Sequence, residues 1–378
     1  MKKKFLVMLL AVAMVFAFAA CGGGGSEEPA ADDQQESTEA VSFDDIDDNC
    51  ESEDGTYQIA MVTDVGQLKD GSFNQFTWNG CKMYAYENGK TYKYYQPANG
   101  QNATDDDRIK AMTDACDAGA EVIVTPGFLQ ATALEAVAPK YPEVQFIFID
   151  GWDMGIANVL GVSYQEEQAG YLAGYAAVME GYTKLGFSGG GGGSNPACIR
   201  YGYGYAQGAN DAAAAKGENV EMRYSWEYGS SFSASDDLQA MLAGWFNAGT
   251  EVIFMCGGTM FSSGAAAAEA ADGAIIGVDV DQSNQSDAVV TSAMKGLAQS
   301  VQVSLTNFYG EGLQTGALVL GAADDAVGLP VDTWALQNWS VDEYNALFEQ
   351  IKSGEITVDN SEVADPSTAG LENITFVQ

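Results

Sequence analysis

Histidine does not occur anywhere in the 378 residues. That absence removes Ser-His-Asp and Cys-His nucleophile arrangements, and with them the commonest transition-metal ligand. Cationic residues are scarce as well: 16 lysines and arginines stand against 53 aspartates and glutamates. A formal charge of −37 leaves no basic patch to neutralise phosphates, so nucleic acid is excluded as a partner. The same charge disfavours lying flat against anionic lipid. The six cysteines contain no CxxC and no paired spacing, which speaks against a zinc site or a redox motif. Cys50, Cys81, Cys116, Cys198 and Cys256 are expected to be mostly buried free thiols. No metal or other cofactor is expected. Carboxylate pairs remain plentiful, so a glycoside or nucleoside hydrolase working with two acids survives these exclusions as the less favoured class.

What is present begins with an N-terminal address. Three lysines precede the apolar run Phe5 to Ala20, which is too short for a comfortable membrane span and ends in small residues. Residues 1–20 therefore read as a secretory signal. Cys21 follows two alanines, and the tract GGGGSEEPAADDQQESTEA after it has the composition of a flexible tether. This pattern points to a bacterial lipoprotein whose Cys21 carries the lipid, although Phe18 stands where leucine is usual. Losing the signal takes away three cations and leaves a formal charge of −40, 13 cations against 53 anions. Residues 21–55 are assigned to the tether.

Beyond residue 55 the chain alternates. The β-rich runs YQIAMVT, TYKYYQ, EVIVTPG, QFIFIDG and NVLGVSY are separated by helical stretches. After EEQAGYLAGYAAVMEG the pattern restarts with KLGFSGG, VEMRYSWEYG, EVIFMCGG and AIIGVDVDQ. Apolar strands alternating with helices predict parallel sheets covered on both faces, an α/β fold. An internal echo divides it in two: ACDAGAEVIVTPG resembles WFNAGTEVIFMCGG. From Gly119 the next strand ends 31 positions on at Asp150, and from Gly249 the equivalent strand ends 30 positions on at Asp279. Two Rossmann-like lobes account for this, each with an aspartate at a strand's carboxyl end, where such sheets bind ligands. Asp64, after the first strand, joins them.

Several motifs fail. ENGKT ends like a phosphate loop, but Tyr84 stands where its first glycine belongs. GFSGGGGGSN satisfies a dinucleotide fingerprint only because five consecutive glycines satisfy almost any glycine spacing.

The landmarks TDVGQLKDGSFNQFTWNG, FIFIDG, GVSYQEEQAGYLAGYAAVM, KLGFSGG, GSSF, AGTEVIF, IGVDVDQ, TSAMK and IKSGEITV occur in the order of the basic membrane protein family. The resemblance covers nearly all of residues 57 to 360. Members are substrate-binding lipoproteins of ABC transporters, of the purine nucleoside receptor type. It implies a type I periplasmic-binding fold with a three-crossover hinge, an N-terminal lobe of residues 56–165 plus about 296–322, and a C-terminal lobe of 166–295 plus about 323–378. It also implies a non-catalytic, lipid-anchored protein on the extracytoplasmic face, with a nucleoside ligand and an ABC permease as partners. By the same resemblance Phe73 and Phe232 stack on the base, Asn74 hydrogen-bonds it and Asp150 reads its edge. Asp279 and Lys295 hold ribose, and Asp64 matches the family's aspartate after the first strand. Asp281 remains an alternative to Asp279. Plainer roles stay open: core packing for the phenylalanines, helix capping for Asn74 and the aspartates, simple exposure for Lys295. The loop CGGTMFSSG, with Met260 and Phe261 where glycines are usual, is expected to reshape the sugar side. A free base, a sugar or another small polar ligand, or a sensing rather than transport role, are the alternatives.

Overall fold

The computed structural model describes residues 41–378 apart from Gly66 and Gln378. The expected signal segment and Cys21 lie outside the described residues.

Two open sheets form the core. In the first, β1 (Ile59–Val62), β2 (Tyr92–Tyr95), β3 (Val122–Pro126), β4 (Gln145–Ile149) and β5 (Val159–Tyr164) lie in the order β5-β4-β3-β1-β2. The second holds β6 (Lys184–Gly189), β7 (Val220–Ser225), β8 (Val252–Cys256), β9 (Ala274–Asp279) and β10 (Val289–Lys295) in the order β10-β9-β8-β6-β7. The two orders are the same permutation, so the internal echo is one of topology as well as of sequence. All these pairings are parallel, as continuous apolar runs require. Val122–Pro126, Gln145–Ile149, Val252–Cys256 and Ala274–Asp279 are buried throughout.

The last strands are shared out. β11 (Gly316–Leu320) joins β5 in the first sheet, β12 (Val327–Gly328) pairs antiparallel with β10, and β13 (Ile374–Val377) extends β7. The chain therefore crosses between sheets three times: from β5 to β6, from β10 to β11 and from β11 to β12.

Among the helices, α1 (Phe73–Glu87), α2 (Asp105–Asp117) and α3 (Ala131–Val137) connect strands of the first sheet. The first crossing runs through α4 (Glu166–Glu180), and α5 (Pro196–Lys216), α6 (Asp236–Asn247) and α7 (Met260–Ala271) connect strands of the second. α8 (Leu297–Glu311) lies in the second crossing and α9 (Val341–Lys352) follows the third. Helices α4 and α5 meet backbone to backbone. A Cβ added at Gly170 or Gly174 would fall 2.1 Å or 2.0 Å from a carbonyl of α5, and one at Gly204 or Gly208 2.1 Å or 1.9 Å from a carbonyl of α4. Reciprocal glycines thus hold the crossing helix against the helix that carries Tyr201 and Arg200. Among the described residues no helix is long and apolar enough to cross a membrane.

One boundary differs from expectation. The tether is expected to run to residue 55, yet residues 42–50 pack on α1 and β2. Lys82, 4% exposed, donates to the carbonyls of Phe43 and Ile46 and to Asp48. Ile46 is buried, and the Cys50 amide donates to the Tyr92 carbonyl. A buried ammonium requires acceptors, and this segment supplies them. Cys81, Cys116, Cys198 and Cys256 are buried free thiols, and Cys50 is half-buried.

Candidate functional site

The carboxyl ends of both sets of strands face one cavity, the place where sheets of this kind take ligands. Asp64, Phe73, Asn74, Asp150, Phe232, Asp279 and Lys295, the seven residues singled out in the sequence, all line it. The echo extends to the backbone. Asp150 (φ 56°) and Asp279 (φ 69°) both adopt the left-handed region, which aspartate tolerates better than most residues.

Lys295 ends β10 and is the electrostatic centre. Its ammonium donates to both carboxylate oxygens of Asp150, at 2.8 Å and 2.7 Å, and lies 3.5 Å from Asp279 and 3.8 Å from Glu166. It also sits 4.8 Å from the centre of the Phe73 ring and 5.6 Å from that of Tyr201. Burial works against its charge, but the carboxylates of Asp150, Asp279 and Glu166 overcome that and raise its pKa. Asp279 is raised by burial, against the pull of Lys295 and of the Ser72 hydroxyl, which donates to it at 2.7 Å. Glu166, the first residue of α4, is buried and raised too. It accepts from Arg200 on α5 at 2.7 Å, and Arg200 reaches Glu362 at 3.1 Å. A line of charge thus runs from the cavity through the first crossing to the surface. The closest bonds of Lys295 are to Asp150, with Asp279 farther off in the same ion cluster.

The α1 side of the cavity is arranged by side-chain hydrogen bonds. Asp70 accepts from the amides of Ser72 (2.9 Å), Asn74 (3.0 Å) and Gln75 (3.1 Å), and from Asn74 Nδ2 (3.2 Å). It therefore caps α1, the role that sequence reading held open for Asn74. Part of Asp70 remains at the surface, but its carboxylate is enclosed and burial pushes its pKa up to about 6, against those amides. Asp64 lies against Gly127, where an added Cβ would fall 2.1 Å from its Oδ2.

The opposite side is arranged by backbone shape. Phe232 has a φ of 56°, and its ring occupies the space left by Gly190, where a Cβ would fall 2.4 Å from Cδ1. A Cβ added at Gly191 or Gly257 would also crowd this ring, at 3.1 Å and 3.3 Å. The glycine run that imitates a dinucleotide fingerprint is a seat for an aromatic ring.

Two readings resolve in the structure, and two tryptophans take their places around the site. Asp281 does not line the cavity; it accepts from the Ser283 amide and the Thr333 hydroxyl. Met260 and Phe261 do not intrude, because both are buried in a cluster with Leu238, Leu242 and Phe246, and it is Cys256, Gly257, Gly258 and Thr259 of that loop that reach the cavity. Trp226 packs on Phe187 and donates to the Ala364 carbonyl, while Trp152 is exposed beside Phe148. Sequence reasoning missed Asp70, Asn195, Cys198, Tyr201 and Glu166. The pattern Asp-x-Ser before an α1 start was a legible capping signal; nothing in the sequence distinguished Tyr201 from its neighbours Tyr203 and Tyr205. Two buried polar atoms of cavity residues have no hydrogen-bond partner among the described residues: Asn74 Oδ1 and the Tyr201 hydroxyl. Among the described residues no group of His, Cys, Asp and Glu is arranged to hold a metal.

Four carboxylates (Asp64, Asp70, Asp150, Asp279) and one ammonium line the space. Such a lining receives hydroxyl and N–H donors and repels anions.

Residues 57–362 match the profile of the Bmp family, described as ABC transporter substrate-binding protein PnrA-like. The chain is similar to the ABC transporter nucleoside-binding protein BmpA of Lactococcus lactis subsp. cremoris, 28% identical over 238 residues. That match covers 60% of this chain and 64% of the Lactococcus protein, so it spans somewhat under two thirds of that relative's length. Basic membrane protein B of Borreliella burgdorferi is 28% identical over 307 residues, 74% of this chain and 82% of that protein. A solute-binding protein of an ABC transporter system from Aeropyrum pernix K1 shares the fold, with a TM-score of 0.70 at 22% identity, over 84% of this chain and 97% of that one.

Proposed function

The chain belongs to the Bmp family of ABC transporter substrate-binding proteins, and we propose that its ligand is a nucleoside, of purine type, held in the cavity between the two sheets. Phe73 and Phe232 supply two aromatic faces for the base, and an aromatic pair adds roughly 0.5–1.5 kcal/mol beyond area burial. Asn74 and Asp150 take its edge. Asp279 and Lys295 take the ribose: a carboxylate accepts from neighbouring hydroxyls through charge-assisted bonds, and the ammonium donates. Asp64 completes the acidic rim. The observation that carries this reading is the meeting of two phenylalanines and an acceptor-rich lining in one cavity. The excess of carboxylates favours an uncharged nucleoside over a nucleotide, whose phosphate enters a negative field. Delivery to an ABC permease, a lipid anchor at Cys21 and the absence of turnover complete the proposal. Closure of two lobes about three crossings gives a permease one bound shape to recognise.

Calorimetric titration with nucleosides, free bases, ribose, sugars and nucleoside monophosphates tests it. Tight binding of ribonucleosides, with monophosphates at least tenfold weaker, is expected. Binding of a sugar alone, or release of free base from inosine, overturns it. Asp279→Asn is expected to weaken ribonucleosides far more than free bases; equal losses remove Asp279 from the ribose role.

A further inference from the structure

Asparagine carries a donor and an acceptor on one planar amide, and which end meets a ligand depends on what holds the other. At position 74 that choice is fixed from within the chain. The amide nitrogen Nδ2 lies 3.2 Å from Asp70 Oδ2, the oxygen that also accepts from the Asn74 backbone amide at 3.0 Å. Asp70 Oδ1 is occupied by the amides of Ser72 and Gln75. Four donors converge on one carboxylate, about as many as its lone pairs accommodate. Turning the Asn74 amide over sets its oxygen against Asp70 Oδ2, two acceptors face to face. The carbonyl oxygen is therefore left for the cavity, and in a residue 3% exposed it has no partner among the described residues. A buried acceptor without a donor is costly, and a ligand that supplies the donor removes that cost.

The loop around it is equally constrained. Gln75 Oε1 accepts from the Gly71 amide at 3.1 Å, and Gln285 Nε2, from beyond β9, donates to the Gly71 carbonyl at 2.8 Å. The Ser72 hydroxyl is spent on Asp279. Neither Ser72 nor Gln75 lines the cavity, so the neighbours of Asn74 do not offer its oxygen a substitute partner.

We propose that Asp70 is a positioning residue that fixes Asn74 as a hydrogen-bond acceptor, making the site selective for a base whose edge presents N–H. This rests on the nucleoside reading above and narrows it. Inosine, guanosine and adenosine each present an N–H on the base; purine riboside has the same rings and ribose and presents none.

The test is calorimetric titration of the full chain with these four nucleosides, repeated with Asn74→Leu and Asp70→Asn. For the wild type, the tightest of the first three is expected to bind at least tenfold more tightly than purine riboside. In Asn74→Leu the ratio is expected to fall to within about threefold. Asp70→Asn, which can offer its own amide donor to the Asn74 oxygen, is expected to reduce the same ratio. A merely structural role for Asp70 lowers all four affinities together and leaves the ratio intact, which overturns the inference. Equal binding of purine riboside and inosine to the wild type also overturns it while leaving the nucleoside reading standing. Failure of every nucleoside to bind overturns both. If Asp70→Asn does not fold, the wild-type ratio and Asn74→Leu decide: a ratio that survives in Asn74→Leu rejects the proposal.

Discussion

Phe73 stands on the first turn of a helix, beneath a carboxylate that gathers four donors. Phe232 stands on a loop with a left-handed φ, its ring pressed into space that glycines leave open. The two rings face the same cavity, but one wall is held by polarity and the other by volume. A wall held by hydrogen bonds tolerates small changes of size and fails when donor and acceptor are exchanged. One held by close packing tolerates changes of polarity nearby and fails when a methyl group is added. Lys295 belongs to both, since it reaches Asp150 from the first sheet and Asp279 in its own.

That shared position makes Lys295→Met the largest perturbation. It leaves Asp150 and Asp279 without their nearest cation and Glu166 with Arg200 alone, and breaking a buried pair from one side costs about 3–5 kcal/mol. Chemical unfolding is expected to show a loss of that order, with ligand binding gone. A loss below about 1 kcal/mol contradicts the buried cluster.

Removing the rings separates the walls. Phe73→Gly and Phe232→Gly are each expected to weaken binding about 100-fold, read by titration. Their stabilities are expected to diverge. Glycine in the first turn of α1 costs roughly 0.5–1 kcal/mol, whereas glycine at 232 relieves a left-handed φ and leaves the unfolding midpoint unchanged or higher. Equal loss at both positions erases the distinction.

A smaller test touches the second wall alone. Gly190→Ala places a Cβ against the Phe232 ring, with an affinity loss of about tenfold and an unfolding midpoint within a few degrees of wild type. Retained affinity means that the ring moves freely on its seat.

The smallest expected effect lies at the first crossing. Glu167 is buried and its Oε2 has no partner among the described residues; burial pushes its pKa up to about 7 from an ordinary 4.5, with Glu166 and Asp359 adding to the rise and Arg200 opposing it. The folded state therefore holds this proton where the unfolded state has released it, and stability falls as pH rises from about 4.5 to about 7. Glu167→Gln is expected to melt like wild type near pH 4 and several degrees higher at pH 8. A gain that is independent of pH removes ionisation as the cause.

Much of this was legible from residue types in order. Alternating apolar strands and helices announced parallel sheets, and the Gly119/Gly249 echo announced two of them with matching aspartates. Asp64, Asp150 and Asp279 could be named because they follow or end strands, where sequence position nearly dictates spatial position; Phe73, Asn74, Phe232 and Lys295 were named through the resemblance to the basic membrane protein family. What escaped were relations that depend on distant packing. Tyr201 reaches the cavity because glycines on α4 and α5 let two helices close up, and Glu166 becomes buried for the same reason. The docked segment at residues 42–50 escaped because its composition is that of a tether; a single lysine 30-odd positions on decides otherwise. The pairing of Lys295 with Asp150 escaped because it joins strands of different sheets.

The distribution of the final strands bears on how the chain is made. β5 lacks its outer neighbour until β11 emerges, and all five strands from β6 to β10 are synthesised in between. For that whole interval the edge of Val159–Tyr164, a largely buried strand in the finished fold, stays open to pairing with another chain. The second sheet is completed later still, when β13 pairs with β7. Shortening the protein from its C-terminus should therefore appear first as aggregate and lost yield in production, before any defect in recognition is measured.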